Sequence, residues 1–519
     1  MKRIFWTALS SALLSVLHLG LAAAPTGGGG VDEAINRALE PAANAVSSVV
    51  FFSVPVGSAR VPLVVVWLIV AAVVFTLYFN FINFRGFRHG FRLLRGDYDD
   101  PSDAGEVTHF QALATALSGT VGLGNIAGVA VAVSIGGPGA TFWMIAAGLL
   151  GMATKFVECT LGVMYRTEYP DGRISGGPMH YLNKGLAAHS MAGLGKVLAV
   201  TYAVMCIGGS FGGGNMFQSN QAYNQVLNVT GGEASFFADK AWLFGLIAAV
   251  AVGAVIIGGI KSIARVTEKL VPFMGVLYVG SALVILLLNF NQIPTAFAAI
   301  WNGAFSPEGI TGGFIGVLIQ GFQRAAFSNE AGLGTAAIAH SAVKTKHPVT
   351  EGIVALNEPF VDTVVVCTMT ALVIVITGTY TQEGLDGVQL TSAAFGQSIS
   401  WFPYVLAVAV VLFAYSTMIS YAYYGIKAWT YLFGEGAGRE NFYKLIFCVF
   451  VVFGAVMQLG AVIAFSDAMI FIMALPNVVG LYLMAPTVKR ALATYWAQLE
   501  RGEIKSNREV ETARVGVGD

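Results

Sequence analysis

Between Thr115 and Gly128 an apolar segment carries Gly119, Gly122, Gly124 and Gly128 interleaved with Ser118, Thr120 and Asn125. Glycine in a helix interior is about 1 kcal/mol less favourable than alanine, so this run predicts a helix that fails part-way along. Inside a membrane, open backbone is tolerated only where protein buries it or a wet cavity lies beside it, and interrupted spans of this kind mark ligand sites. The N–H groups freed at the start of the second half-helix suit a carboxylate. The freed carbonyls, with the oxygens of Ser118, Thr120 and Asn125, suit a hard cation or an ammonium. One break can thus receive both ends of a zwitterion. Close helix packing explains small residues but not Asn125 and its flanking hydroxyls.

Other polar residues also fall in apolar segments. Gln323, Arg324, Ser328, Asn329 and Glu330 crowd together. Ionisable groups at membrane depth are functional by default, and Arg324 and Glu330 are expected to pair with each other or to form a gate, with Phe327 between them able to cap a small side chain. Gly208 to Gly214 is read as a close-approach surface for another backbone, with Asn215 and Gln218 supplying amides. Ser416, Thr417 and Ser420 lie within about one helical turn, and a hydroxyl pair facing the first break can complete an oxygen shell for Na+; the alternative is hydroxyls bonded back to their own helix. Asn357, Glu358 and Asp362 are read as supporting groups behind the site. Lys155 and Glu158, at i and i+3, are read as an ion pair within one helix.

The seven histidines show no metal-binding spacing, and no Walker, GxSxG or CxxC motif is present, so neither an enzyme nor an ATP-driven pump finds support. The four cysteines all lie in apolar segments and are read as core residues.

The elements that hold these residues must be membrane helices. The chain has 519 residues, 56% hydrophobic and 11% charged, with a mean hydropathy of +0.70; a soluble domain is about 25% charged. The balance of 29 basic and 29 acidic residues gives no reason to expect a nucleic-acid partner. Residues 1–24 read as a cleaved signal peptide, the alternative being an uncleaved anchor. An exported segment, 25–60, includes a surface helix expected over 31–50. An extra span at 61–84 is followed by Arg85, Arg88, Arg92 and Arg95, which place the loop to residue 104 in the cytoplasm. Ten further spans are expected at 108–134, 138–165, 197–224, 241–260, 270–290, 312–342, 352–378, 402–427, 441–464 and 467–488. Alternate loops collect the basic residues, and Lys240 alone falls in an outside loop between these ten. Eleven spans follow in the mature chain, N-terminus outside and C-terminus inside, with a cytoplasmic tail at 491–519.

An internal echo organises these spans. Gly122, Leu123 and Gly124 recur as Gly332, Leu333 and Gly334 at an offset of 210 residues, and Ala116 and Ser118 match Ala326 and Ser328. Five spans separate the copies, so the two enter the membrane from opposite sides, the signature of an inverted repeat whose broken helices meet at the repeat interface. The repeats are expected at 105–290 and 291–490. Nothing resembles the charged rings of a channel, and the outside segment and tail are short for a receptor.

Gly122 to Gly128, Gly136 to Met144, Gly151 to Phe156, Gly176 to Met179, Phe327 to Gly334, and Tyr423 to Gly425 together resemble the alanine or glycine:cation symporters, over about residues 105 to 490. The resemblance implies an all-α membrane protein of LeuT-like five-plus-five inverted repeat with one extra N-terminal helix. It also implies Na+-coupled symport of alanine or glycine into the cell, with H+ as the alternative cation. Carried over by position, the amino acid touches Thr120, Gly122, Leu123, Gly124, Asn125, Gly214, Asn215, Gln218, Phe327, Thr417 and Tyr421. Na+ takes oxygens near Ser118 and Val121 with Ser416 and Thr417, while Gln323, Arg324, Asn329, Glu330 and Asp362 gate or support the site. The implied setting is a monomer in the lipid bilayer of a bacterial inner membrane.

Overall fold

The computed structural model describes residues 41, 44–100, 102–305 and 312–507. The expected signal peptide and tail residues 508–519 lie outside the described residues. Of the expected surface helix, residues 44–50 are helical. A hairpin that the sequence pattern did not announce follows, β1 (Ser53–Val56) pairing antiparallel with β2 (Ala59–Pro62). Two four-residue strands are too short to show an alternating pattern.

Beyond it the chain is helical apart from one short hairpin, β3 (Thr167–Glu168) pairing antiparallel with β4 (Ile174–Ser175). α1 (Leu63–Tyr78) precedes α2 (His109–Thr120), which opens on a capping box: Gln111 N–H donates to Thr108 Oγ1 at 3.2 Å, and Thr108 N–H to Gln111 Oε1 at 3.1 Å. α3 (Gly124–Gly136) resumes after three residues, bent by 51° from α2. Then come α4 (Ala140–Met164), α5 (Ala192–Val229), α6 (Ala241–Ile256), α7 (Gly259–Leu288) and α8 (Ile293–Phe305). The second half holds α9 (Gly313–Asn329), α10 (Ala336–His340), α11 (Pro348–Thr377), α12 (Gly387–Ser398) and α13 (Phe402–Phe433). α14 (Ala437–Val456), α15 (Leu459–Phe471) and α16 (Ala474–Glu500) close the chain.

Among the described residues six helices are long and apolar enough to cross a membrane, or seven if the bent pair α2–α3 is one span. The remaining expected spans fall short of that measure for local reasons. α1 and α6 are apolar but 16 residues each, α9 stops at 17, and α14 carries Arg439, Glu440 and Lys444. Two expected boundaries also move. The chain turns extended at Met457 and Gln458, inside the span expected at 441–464, and α7 begins at Gly259 rather than 270.

The second helix breaks where the repeat places it. Between α9 and α10, Glu330, Gly332 and Gly334 adopt φ of +57°, +94° and +81°, a region that glycine reaches without steric penalty. The breaks face each other: a Cβ on Gly124 would lie 3.3 Å from the Ser328 Cα. Around them α4 packs on α1, α9 and α11, and α5 on α13. Widened π turns interrupt α3 at Gly124–Gly128, α5 at Gly212–Met216 and α11 at Phe360–Cys367, a distortion common at functional sites.

The closest helix approaches are built on glycine. A Cβ on Gly454 would stand 2.5 Å from the Met216 Cα, whereas one on Gly253 meets only Cys448 Sγ at 3.6 Å. Gly454→Ala should therefore lower the thermal unfolding midpoint of the purified protein, by overpacking worth about 1–3 kcal/mol. Gly253→Ala should leave it unchanged or slightly higher, since alanine is the better helix former.

Candidate functional site

The first break forms because Val121, with ψ of 79°, leaves the helical path. Its freed donors do not stay free. Gly122 N–H donates to Asn125 Oδ1 at 2.9 Å, and Leu123 N–H to Gln218 Oε1 at 3.0 Å. Gln218 in turn donates to the Gly213 carbonyl at 2.9 Å. The N–H groups expected to await a carboxylate are thus held by two side-chain oxygens, as buried donors require. A ligand carboxylate reaches them by displacing those oxygens.

Asp362 stands where the two broken helices meet. Asn125 donates to its Oδ1 at 2.7 Å and to its backbone carbonyl at 3.0 Å. Ser328, from the second broken helix, donates to Oδ2 at 2.8 Å, and Thr363 to the same oxygen at 2.7 Å. The side chain is fully buried, and among the described residues no cationic side chain forms an ion pair with it. Read from sequence as a supporting group, it is the carboxylate shared by both breaks. Thr370 and Thr391 complete the clasp on the first break, donating to the Asn125 and Ile126 carbonyls at 2.7 and 3.1 Å.

The hydroxyls of α13 also meet the first broken helix. Ser118 donates to the Ser416 carbonyl at 2.7 Å, Thr417 to the Ser118 carbonyl at 3.0 Å, and Ser420 to the Thr115 carbonyl at 3.0 Å. Ser416 Oγ turns back to its own helix at the Phe413 carbonyl, 2.9 Å away. Ser118 and Thr417 are therefore brought together, and the Ser416 hydroxyl is not.

Two expected pairings are replaced. Arg324 pairs with Asp467 on α15, not with Glu330. Glu330 instead accepts from Tyr421 and Thr335, while Asn329 caps the break by accepting from Ala331 N–H at 3.0 Å. Lys155 reaches across to Glu358 at 2.9 Å, and Glu158 accepts from Asn477 at 2.7 Å. In each case a partner comes from another helix, which spacing along one segment does not reveal.

A cavity of about 10 Å³, the room of one water, lies between the breaks. Thr120, Gly124, Gln218, Phe327 and Tyr421 line it, joined by Glu330 and by Gly119, Gly213 and Ile470. Gly122, Leu123 and Asn125 form the break behind it. Asn215 points away, donating to the Phe447 carbonyl of α14 at 2.8 Å. The glycines of α5 admit side chains as well as backbone: a Cβ on Gly214 would overlap the Tyr421 ring at 1.9 Å, and one on Gly213 would overlap Ile470 at 2.0 Å, while Gly212 meets the α15 backbone at Ser466. The three cysteines Cys159, Cys206 and Cys367 are buried, Cys448 is half-buried, and all four are free thiols.

Known proteins share this architecture. The profile of the sodium:alanine symporter family matches residues 47–509. The sodium/alanine symporter AgcS of Methanococcus maripaludis is 40% identical over 431 residues, 82% of this chain and 92% of its own. The probable sodium/glutamine symporter GlnT of Bacillus subtilis is 33% identical, over 85% of this chain and 89% of its own. The putative sodium/proton-dependent alanine carrier protein YrbD of Bacillus subtilis is 34% identical, over 77% and 83%. MhsT, solved in complex with L-phenylalanine, superposes with a TM-score of 0.52 at 15% identity, covering 74% of this chain and 98% of that one, and shares the LeuT-type fold. On these matches the chain belongs to the sodium:alanine symporter family, multi-pass membrane transporters that couple amino acid symport to a cation.

Proposed function

We propose that this protein imports a small neutral amino acid, alanine or glycine, together with Na+ by alternating access. The observation that carries the cation requirement is Asp362. A buried carboxylate with only neutral donors leaves the junction of the two breaks one positive charge short, at a cost of several kcal/mol. A cation bound beside Asp362 offsets that charge and draws the two broken helices together. The Ser118 and Val121 carbonyls with the Thr417 hydroxyl, and Ser416 after a side-chain rotation, are the second oxygen set open to Na+. The amino acid lies between Thr120, the Gly122–Asn125 break, Gln218, Phe327 and Tyr421.

The basic loops support a cytoplasmic C-terminus and an outside N-terminus, with repeats divided near residue 290. The driving force is sufficient. One charge crossing about 100 mV contributes about 2.3 kcal/mol, and a Na+ gradient of about tenfold adds about 1.4, together enough for accumulation of several hundredfold. AgcS is named for sodium and alanine and YrbD for sodium or protons. A carboxylate such as Asp362 also suits a proton, so H+ coupling is the second reading.

In proteoliposomes, an inward Na+ gradient should drive uptake of radiolabelled alanine, and choline in its place should abolish it. Equal uptake driven by an inward proton gradient without Na+ would establish the H+ reading instead. Asp362→Asn should lower the initial rate by more than about tenfold, a loss of over about 1.4 kcal/mol, and flatten its Na+ dependence; near-normal, Na+-dependent uptake by this variant removes Asp362 from the cation site. Because the cavity is small and walled by Phe327 and Tyr421, excess glycine should compete with alanine and excess glutamine should not. Efficient competition by glutamine would refute the small-substrate reading.

A further inference from the structure

A file of buried titratable side chains runs from the loop before α2 toward the transport site, and the symport reading leaves it unused. His109, the first residue of α2, binds Glu351 of α11 through Nδ1. The same carboxylate meets His340 Nδ1, at the end of α10, at 2.5 Å. His340 Nε2 faces Glu358 Oε2 at 3.6 Å, and Glu358 Oε1 holds Lys155 Nζ at 2.9 Å. At the outer end His109 Nε2 lies 3.9 Å from Asp99 Oδ1, whose side chain is 39% exposed. Glu351, His340, Glu358 and Lys155 are completely buried, and His109 nearly so.

The spacing is not that of a static ion-pair cluster alone. Two links fall short of hydrogen-bond length, Asp99 to His109 and His340 to Glu358. At both, buried atoms are left without a hydrogen-bond partner: Asp99 Oδ1, His340 Nε2 and Glu358 Oε2. Orphaned polar atoms at this depth are uncommon and call for an explanation. Both gaps lie at the broken helices, one at the start of α2 and one at the end of α10, while Glu351 and Glu358 both belong to α11. A movement of either broken helix relative to α11 changes the link it bears. At the inner end, Glu358 precedes Asp362 by four residues on α11, about one helical turn. The file therefore ends beside the proposed cation site.

We propose that Asp99, His109, Glu351, His340 and Glu358 form a proton pathway between the loop preceding α2 and the transport site, closed and opened at its two gaps as the broken helices move. Asp99 takes up a proton and passes it to His109 Nε2, whose Nδ1 gives its own to Glu351. Glu351, protonated in turn, gives one to the bare Nδ1 of His340 as the Nε2–H of the same ring releases its own to Glu358 Oε2. Each imidazole gains one proton and loses one, so a single proton moves and no other reactant is needed. Burial raises the Asp99 carboxyl above its ordinary range, against the pull of His109, which suits it to proton pick-up. The proposal goes beyond amino acid symport, whichever cation drives it.

The test uses the full chain in proteoliposomes with a trapped pH dye, a valinomycin potential clamp, and alanine and Na+ on both sides so that the carrier cycles. After an external pH step, wild-type vesicles should equilibrate faster than protein-free vesicles. His340→Gln should equilibrate as slowly as protein-free vesicles while still exchanging labelled alanine. Wild type no faster than protein-free vesicles, or His340→Gln as fast as wild type, overturns the pathway. If His340→Gln does not exchange alanine, His109→Gln is read at the other gap. Loss of alanine exchange and proton flux together in both variants also overturns it, because a purely structural network gives that result. Labelled alanine exchange by wild type, counted in the same vesicles, separates failure of the substrate assignment from failure of the pathway.

Discussion

The structure depends on one carboxylate held between two interrupted helices. Asp362 gathers Asn125 from the first break and Ser328 from the second, with Thr363 beside it. Hydrogen bonds to neutral donors orient a buried charge but do not neutralise it. The position of both breaks is thereby tied to whatever supplies positive charge at that point. In a transporter this is the useful arrangement, because a ligand shifts a conformational equilibrium only through its differential affinity for the two states. On the proposed reading, a cation that completes Asp362 favours the arrangement in which the breaks face each other across the small cavity.

The remainder of the molecule keeps that junction buried and in register. Glycines let α5 close on Tyr421, Ile470 and the α15 backbone, and the Ser118, Thr417 and Ser420 hydroxyls fasten α2 to α13. The second break is stitched by Tyr202 and Asn477, which donate to the Leu333 and Gly332 carbonyls at 2.8 and 2.9 Å. These bonds satisfy backbone groups that an intact helix would have paired internally.

Much of this was legible in the chain. The Gly122–Gly124 run and its copy at Gly332–Gly334 located both breaks, because glycine and hydroxyl content inside an apolar segment is a local property. Of the residues around the cavity, Phe327 falls in a motif that carries the family resemblance, whereas Gln218 and Tyr421 lie outside those motifs. Pairings between distant helices were not legible. Arg324 and Glu330 lie six residues apart yet bind Asp467 and Tyr421, and Lys155 leaves Glu158 for Glu358. Spacing along one helix says which residues share a face, not which helix that face meets. His109 and His340 looked scattered for the same reason: only the fold brings them to opposite sides of Glu351. α1 and α6 showed the complementary limit, since hydropathy found the segments but not how short their regular helices are.

The central claim is that cation and amino acid share one ordering event at the junction of the breaks. Calorimetric titration of the purified protein with alanine at rising Na+, and with Na+ at rising alanine, tests it most directly. The account predicts that alanine affinity rises with Na+ and that Na+ affinity rises by the same factor with alanine, as linkage requires. Alanine affinity identical in Na+ and in choline would contradict it.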